Sequence, residues 1–172
     1  MRHVVLVGLM GSGKSTVGEL VARRTARVLI DVDAAIVSRT GKTVRELWEE
    51  GGEAAYRHLE SQEVLTLLGS STPAVLAAPG GVVLDPAVRT ALEDAFVVWL
   101  RTRPSTLAGR VRIGDHRPLL GDRPYEALAA MSESRLHLYE QVATAVVDTD
   151  DVTPEALADM VVDLVARCAT DT

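Results

Sequence analysis

The stretch Gly8-Leu9-Met10-Gly11-Ser12-Gly13-Lys14-Ser15-Thr16 carries the most specific chemistry in the sequence. It fits the pattern G-x-x-x-x-G-K-[ST]. Glycines let a backbone wrap closely around a phosphate with its N–H groups turned inward. A helix starting at the end of the loop adds partial positive charge. Gly11, Ser12 and Gly13 are therefore expected to cradle the phosphates of a nucleotide. Lys14 is expected to reach the β- and γ-phosphates as a flexible point charge. The Ser15 hydroxyl is a candidate ligand for Mg²⁺, and Thr16 for the α-phosphate. The motif predicts nucleotide binding but does not name the acceptor of a phosphoryl group.

Two acids follow at the end of the second apolar run, Asp31 and Asp33. Read as a continuing strand, that spacing puts both carboxylates on one face, at the strand end that opens into the ligand crevice of a parallel sheet. Two carboxylates there need compensation. Asp31 is assigned to the metal, directly or through water, and Asp33 to an acceptor hydroxyl, as hydrogen-bond acceptor and candidate base. The competing reading is a solvated strand end with Asp33 capping a helix.

Arginines supply the remaining chemistry. Arg57 has Glu60 three residues on, on the same helix face, where the carboxylate could hold the guanidinium in one pose; the alternative is an exposed pair of little energetic weight. Arg135, in Ser132-Glu133-Ser134-Arg135, has nothing in its neighbourhood to set it apart from a surface residue. Between 111 and 124 lie Gly114, Pro118, Gly121 and Pro124 with Arg112, His116, Arg117 and Arg123. That basic segment reads either as a lid over phosphates or as a plain surface loop. On the lid reading Arg117 meets the transferring phosphoryl charge, and Arg110, at its start, leans on the nucleotide.

Elements that could position these groups alternate along the chain. Short continuous apolar runs at 3–7, 28–30, 74–78, 96–100 and 145–147 suit strands buried on both faces. Helical patterns fall at about 14–26, 43–49, 52–68, 86–93, 104–110, 124–141 and 153–168. Thr43 with Glu46 fits a capping box, and Thr153-Pro154-Glu155 a helix start. The order predicts an α/β protein of three layers, α/β/α, with a parallel sheet of about five strands flanked by helices, a P-loop NTPase fold. The 172 residues fit one domain, with a substrate-binding segment at about 31–61 and a lid at about 111–124. A net charge of −6 makes a nucleic-acid partner a poor expectation. One cysteine, Cys168, excludes an internal disulfide. With no signal-like start and no apolar run of spanning length, the expected location is the cytoplasm, with no membrane partner and a monomeric state.

Taken together, and in order over nearly the whole chain, these features resemble the shikimate kinase family. The matching residues are the P-loop, Asp31-x-Asp33-x-x-Ile36, Gly52-Glu53 through Tyr56-Arg57-x-x-Glu60, Gly80-Gly81, Arg117-Pro118-Leu119-Leu120, and Arg135 four before Tyr139. The resemblance implies transfer of the γ-phosphoryl of ATP, with Mg²⁺, to the 3-hydroxyl of shikimate. It places Asp33 on a ring hydroxyl, Arg57 and Arg135 on the shikimate carboxylate, and Gly80 and Gly81 against the substrate. It puts Arg117 on ATP and the transferring group, and makes Trp48 and Tyr56 pocket walls where the family often has phenylalanines. Two positions depart from the family pattern: Pro79 replaces a glycine, and Val37 replaces an acid. Both keep other acceptors in view, a shikimate analogue or gluconate, and also a nucleotide-binding protein without catalysis.

Overall fold

Apolar side chains in the strands point alternately to the two faces of a sheet, and that alternation builds the fold. The computed structural model describes residues 2–111 and 123–170. In it β1 (Val4–Val7), β2 (Leu29–Asp31), β3 (Val75–Ala77), β4 (Phe96–Arg101) and β5 (Ala145–Asp148) form one parallel sheet in the order β2-β3-β1-β4-β5. Val5, Val7, Leu76, Val97 and Trp99 face one way. They pack on α2 (Val32–Thr40), α3 (Val44–Leu68), α4 (Pro86–Leu92), α5 (Pro104–Arg110) and α6 (Pro124–Val142). Val4, Leu6, Val75, Val98 and Leu100 face the other way, onto α1 (Lys14–Arg24) and α7 (Pro154–Thr170). A period of two within each strand therefore feeds two separate cores. The three-layer architecture expected from the sequence is the one observed.

Helix boundaries follow local chemistry. Thr43 and Glu46 form the reciprocal capping box that starts α3. The Thr153 hydroxyl accepts from the Ala156 N–H at 3.3 Å where α7 starts. Expected helices at 43–49 and 52–68 are one element broken at Gly52, whose φ of 72° and ψ of −179° suit glycine alone. That break separates the half of α3 that carries Tyr56, Arg57 and Glu60 from the half that begins at the capping box.

One expectation about local structure is corrected. Asp31 and Asp33 do not share a strand face. β2 ends at Asp31, and Asp33 lies in the first turn of α2, a helix absent from the sequence-based expectation. It is Asp31, not Asp33, that caps this helix, its Oδ1 accepting the Ala34 N–H at 3.2 Å. The other elements fall within about two residues of expectation, as helix ends generally do.

Candidate active site

Chain segments leaving the C-terminal ends of the strands meet around one cleft of about 820 Å³. The loop after β1 forms its floor. Gly13 sits in the left-handed region, φ 93°, as it hands over to α1. The Ser12 N–H closes the loop on Leu9 O at 3.2 Å. The Lys14 ammonium donates to the carbonyls of Gly8 and Leu9 at 2.9 and 3.0 Å, which fixes it at the mouth of the loop. Ser15 Oγ donates to Asp31 Oδ2 at 2.5 Å. Asp31 thus serves two elements, one oxygen capping α2 and the other meeting α1. Thr16 is exposed and lines the same cleft. Arg110, at the end of α5, reaches Gly11 O at 3.3 Å and Thr149 O at 3.4 Å. It bridges the phosphate loop and the turn after β5.

Opposite this floor stands a wall of side chains. Arg57 on α3 pairs with Glu60 at 2.7 Å and lies 3.5 Å from Glu53. The pair is not the exposed one that spacing also allowed, since the Glu60 side chain is only 4% accessible. Burial pushes the Glu60 carboxyl up to about 7, against the pull of Arg57. Burial alone would lower Arg57, but Glu60 and then Glu53 outweigh it, and the net shift is upward. Arg135, on α6, is 7% exposed and donates to Gly80 O at 3.1 Å. The unremarkable surface arginine of the sequence is a buried one. Tyr139, one turn further, donates to the same carbonyl at 2.7 Å and stacks on Trp99 at 5.4 Å.

The two guanidiniums converge because Gly80 and Gly81 are neighbours. Arg135 holds the Gly80 carbonyl, and a Cβ on Gly81 would lie 2.7 Å from Arg57 Cζ. A Cβ on Gly80 would come 2.8 Å from Gly8 O, so this dipeptide also packs on the phosphate loop. Neither glycine tolerates a side chain without displacing a functional group. Pro79 lines the cleft, and its carbonyl accepts the Val82 N–H at 3.2 Å to start the turn at Val82–Leu84. The N–H that proline lacks is not part of that turn. Val37 lies on α2, half-buried.

Asp33, Trp48 and Tyr56 complete the wall. Trp48 and Tyr56 rings are 5.9 Å apart, and the Arg57 guanidinium lies 5.9 Å from the Trp48 ring. The Tyr56 hydroxyl donates to Asp33 Oδ1 at 2.9 Å. Sequence reasoning placed Tyr56 as a wall but gave its hydroxyl no partner; the signal was its place one residue before Arg57 on the cleft face of α3. The structure therefore brings together Gly11, Ser12, Gly13, Lys14, Ser15, Thr16, Asp31, Asp33, Arg57, Gly80, Gly81, Arg110 and Arg135 around one cleft. Arg117 and most of the expected lid lie outside the described residues. Among the described residues no helix is long and apolar enough to cross a membrane.

The chain as a whole is similar to known proteins. Residues 10–166 match the model of the family described as shikimate kinase. The shikimate kinase of Streptomyces coelicolor is 42% identical, over 94% of each chain. That of Thermobifida fusca is 40% identical, over 91% of each. Among solved structures, the shikimate kinase of Acinetobacter baumannii in complex with shikimate aligns with a TM-score of 0.93 at 30% identity, covering 98% of this chain and 94% of that one. With the motif, the cleft and these similarities in agreement, the chain belongs to the shikimate kinase family.

Proposed function

We propose that this chain transfers the γ-phosphoryl group of ATP to the 3-hydroxyl of shikimate, a step towards the aromatic amino acids. The carrying observation is the meeting of Arg57 and Arg135 at Gly80-Gly81, in the same cleft as the phosphate loop. A guanidinium matches a carboxylate in plane and in charge. Two of them, one on each side of the glycine pair, favour a small carboxylic acid as the acceptor. The same logic disfavours a neutral sugar, which has no carboxylate to accept from either guanidinium.

In this reading the backbone of Gly11–Gly13 and the helix start behind it hold the triphosphate. Lys14 offsets the charge that grows on the β- and γ-phosphates as the bond to the leaving oxygen breaks. Asp33 orients the acceptor hydroxyl for in-line attack. Its proton leaves to Asp33 or to water as the new O–P bond forms. Arg110, beside the loop, steadies the nucleotide, and Arg117 takes the role of a lid residue over the transferring group. The touching hydroxyl of Ser15 and carboxylate of Asp31 are hard oxygen donors of the kind magnesium prefers, and a magnesium ion held there would neutralise phosphate charge. Because every group in this scheme comes from one chain, the scheme is one of a monomeric enzyme, and we place it in the cytoplasm.

The test is an ADP-release assay with shikimate, a shikimate analogue and gluconate as separate acceptors. The expected result is turnover that depends on shikimate and on magnesium. Folded protein without shikimate-dependent ADP release would overturn the reading.

A further inference from the structure

Tyr56 does more than fill space. It is 3% exposed, and its ring is held against Trp48. A phenylalanine would occupy the same volume and make the same ring contact. Only the hydroxyl reaches Asp33, donating to Oδ1 at 2.9 Å. Burial, and then the Asp33 carboxylate, push the phenol well above its usual value. The hydroxyl therefore keeps its proton across the working range and acts as a permanent donor.

We infer that Tyr56 is a positioning residue for the phosphoryl transfer, its hydroxyl engaging one oxygen of Asp33 and so aiming that carboxylate at the acceptor hydroxyl. The inference rests on the reading of Asp33 as the group that meets the acceptor. Asp33 sits in the first, exposed turn of α2, where a short side chain has several rotamers open to it. A hydrogen bond from a rigid, buried ring on α3 selects among them. The other charged groups of the cleft are Asp31 at the cap of α2, Lys14 on α1, Arg57 and Glu60 on α3, Arg110 on α5 and Arg135 on α6. Replacing Tyr56 by phenylalanine removes the hydroxyl and keeps the ring that faces Trp48.

The experiment measures kcat, the KM for each substrate and the melting temperature of Tyr56→Phe and Asp33→Asn beside the wild type. For Tyr56→Phe the expected result is a loss of turnover with a melting temperature close to that of the wild type. Its kcat at neutral pH is lower by about tenfold and its KM for ATP is unchanged. A purely structural role would lower the melting temperature and spare the kcat of the folded protein. A wild-type kcat in Tyr56→Phe, with Asp33→Asn inactive, would overturn the role of Tyr56 and leave that of Asp33. Full turnover in Asp33→Asn would instead overturn the reading of Asp33 itself.

Discussion

The phosphate floor and the acceptor wall of the cleft are built on opposite plans. The floor is one contiguous run of chain, Gly8 to Thr16, working largely through backbone and one lysine. The wall is assembled from Asp33 on α2, Tyr56, Arg57 and Glu60 on α3, the Gly80-Gly81 turn, and Arg135 on α6. In the floor the chain path itself is the site, so few side chains matter and each matters greatly. In the wall the site is a set of charges held by tertiary packing. Its properties depend on pairing, burial and pH.

That contrast can be broken most severely at the floor. Lys14→Ala is expected to lower kcat/KM by about a thousandfold or more, the scale of losing a preorganised charge at a transferring phosphoryl group. A rapid-quench or coupled assay checks it, and a loss of tenfold or less would show that the backbone alone carries the phosphate site. The next largest effect belongs to the wall. Arg57→Ala leaves buried Glu60 without its partner, at a cost of about 3–5 kcal/mol in stability. Arg135→Ala avoids that side effect and is the cleaner probe. It is expected to raise the KM for shikimate about a hundredfold and leave the KM for ATP within about twofold. Equal effects on both substrates would mean that floor and wall are not separable.

A pH test sharpens the same contrast, because the Glu60 shift lies in the wall. The Glu60 carboxyl is raised from 4.5 to about 7. Between those values the folded chain holds a proton that the unfolded chain has lost, so this group's stabilising contribution falls as pH rises through the window. Calorimetric melting temperatures of wild type and Glu60→Gln are expected to diverge accordingly, the wild type losing ground from pH 4.5 to about 7. Parallel curves would contradict the shift. The smallest expected effect is that of Arg110→Ala. This exposed side chain makes two long hydrogen bonds, 3.3 and 3.4 Å, so its loss should raise the KM for ATP no more than about fivefold. A much larger rise would extend the floor's reach to α5.

The same two plans explain what could be read from the sequence. A contiguous motif with fixed glycines is visible without any fold, and the floor was legible residue by residue. Arg57 with Glu60 was half legible, since the spacing gave a shared helix face but not the burial that makes the pair matter. Arg135 had no local signal, because its meaning comes from Gly80, fifty-five residues away. α2 was missed because Val32 continues the apolar run of β2, and because its buried stripe is only Val32 and Ile36. With so short a stripe the acid at 31 looked like a strand residue rather than a cap. The partner of the Tyr56 hydroxyl lies twenty-three residues back on another helix, beyond any local pattern. The sheet itself was legible because its strands are continuous and apolar on both faces.

The convergence of Arg57 and Arg135 on one carboxylate is tested most directly by the acceptor itself. The measurement compares the KM of wild-type protein for shikimate and for its methyl ester, which keeps the ring and hydroxyls but not the charge. A rise of about a hundredfold or more for the ester, with the KM for ATP unchanged, is the predicted result. An ester used as readily as the acid would contradict it.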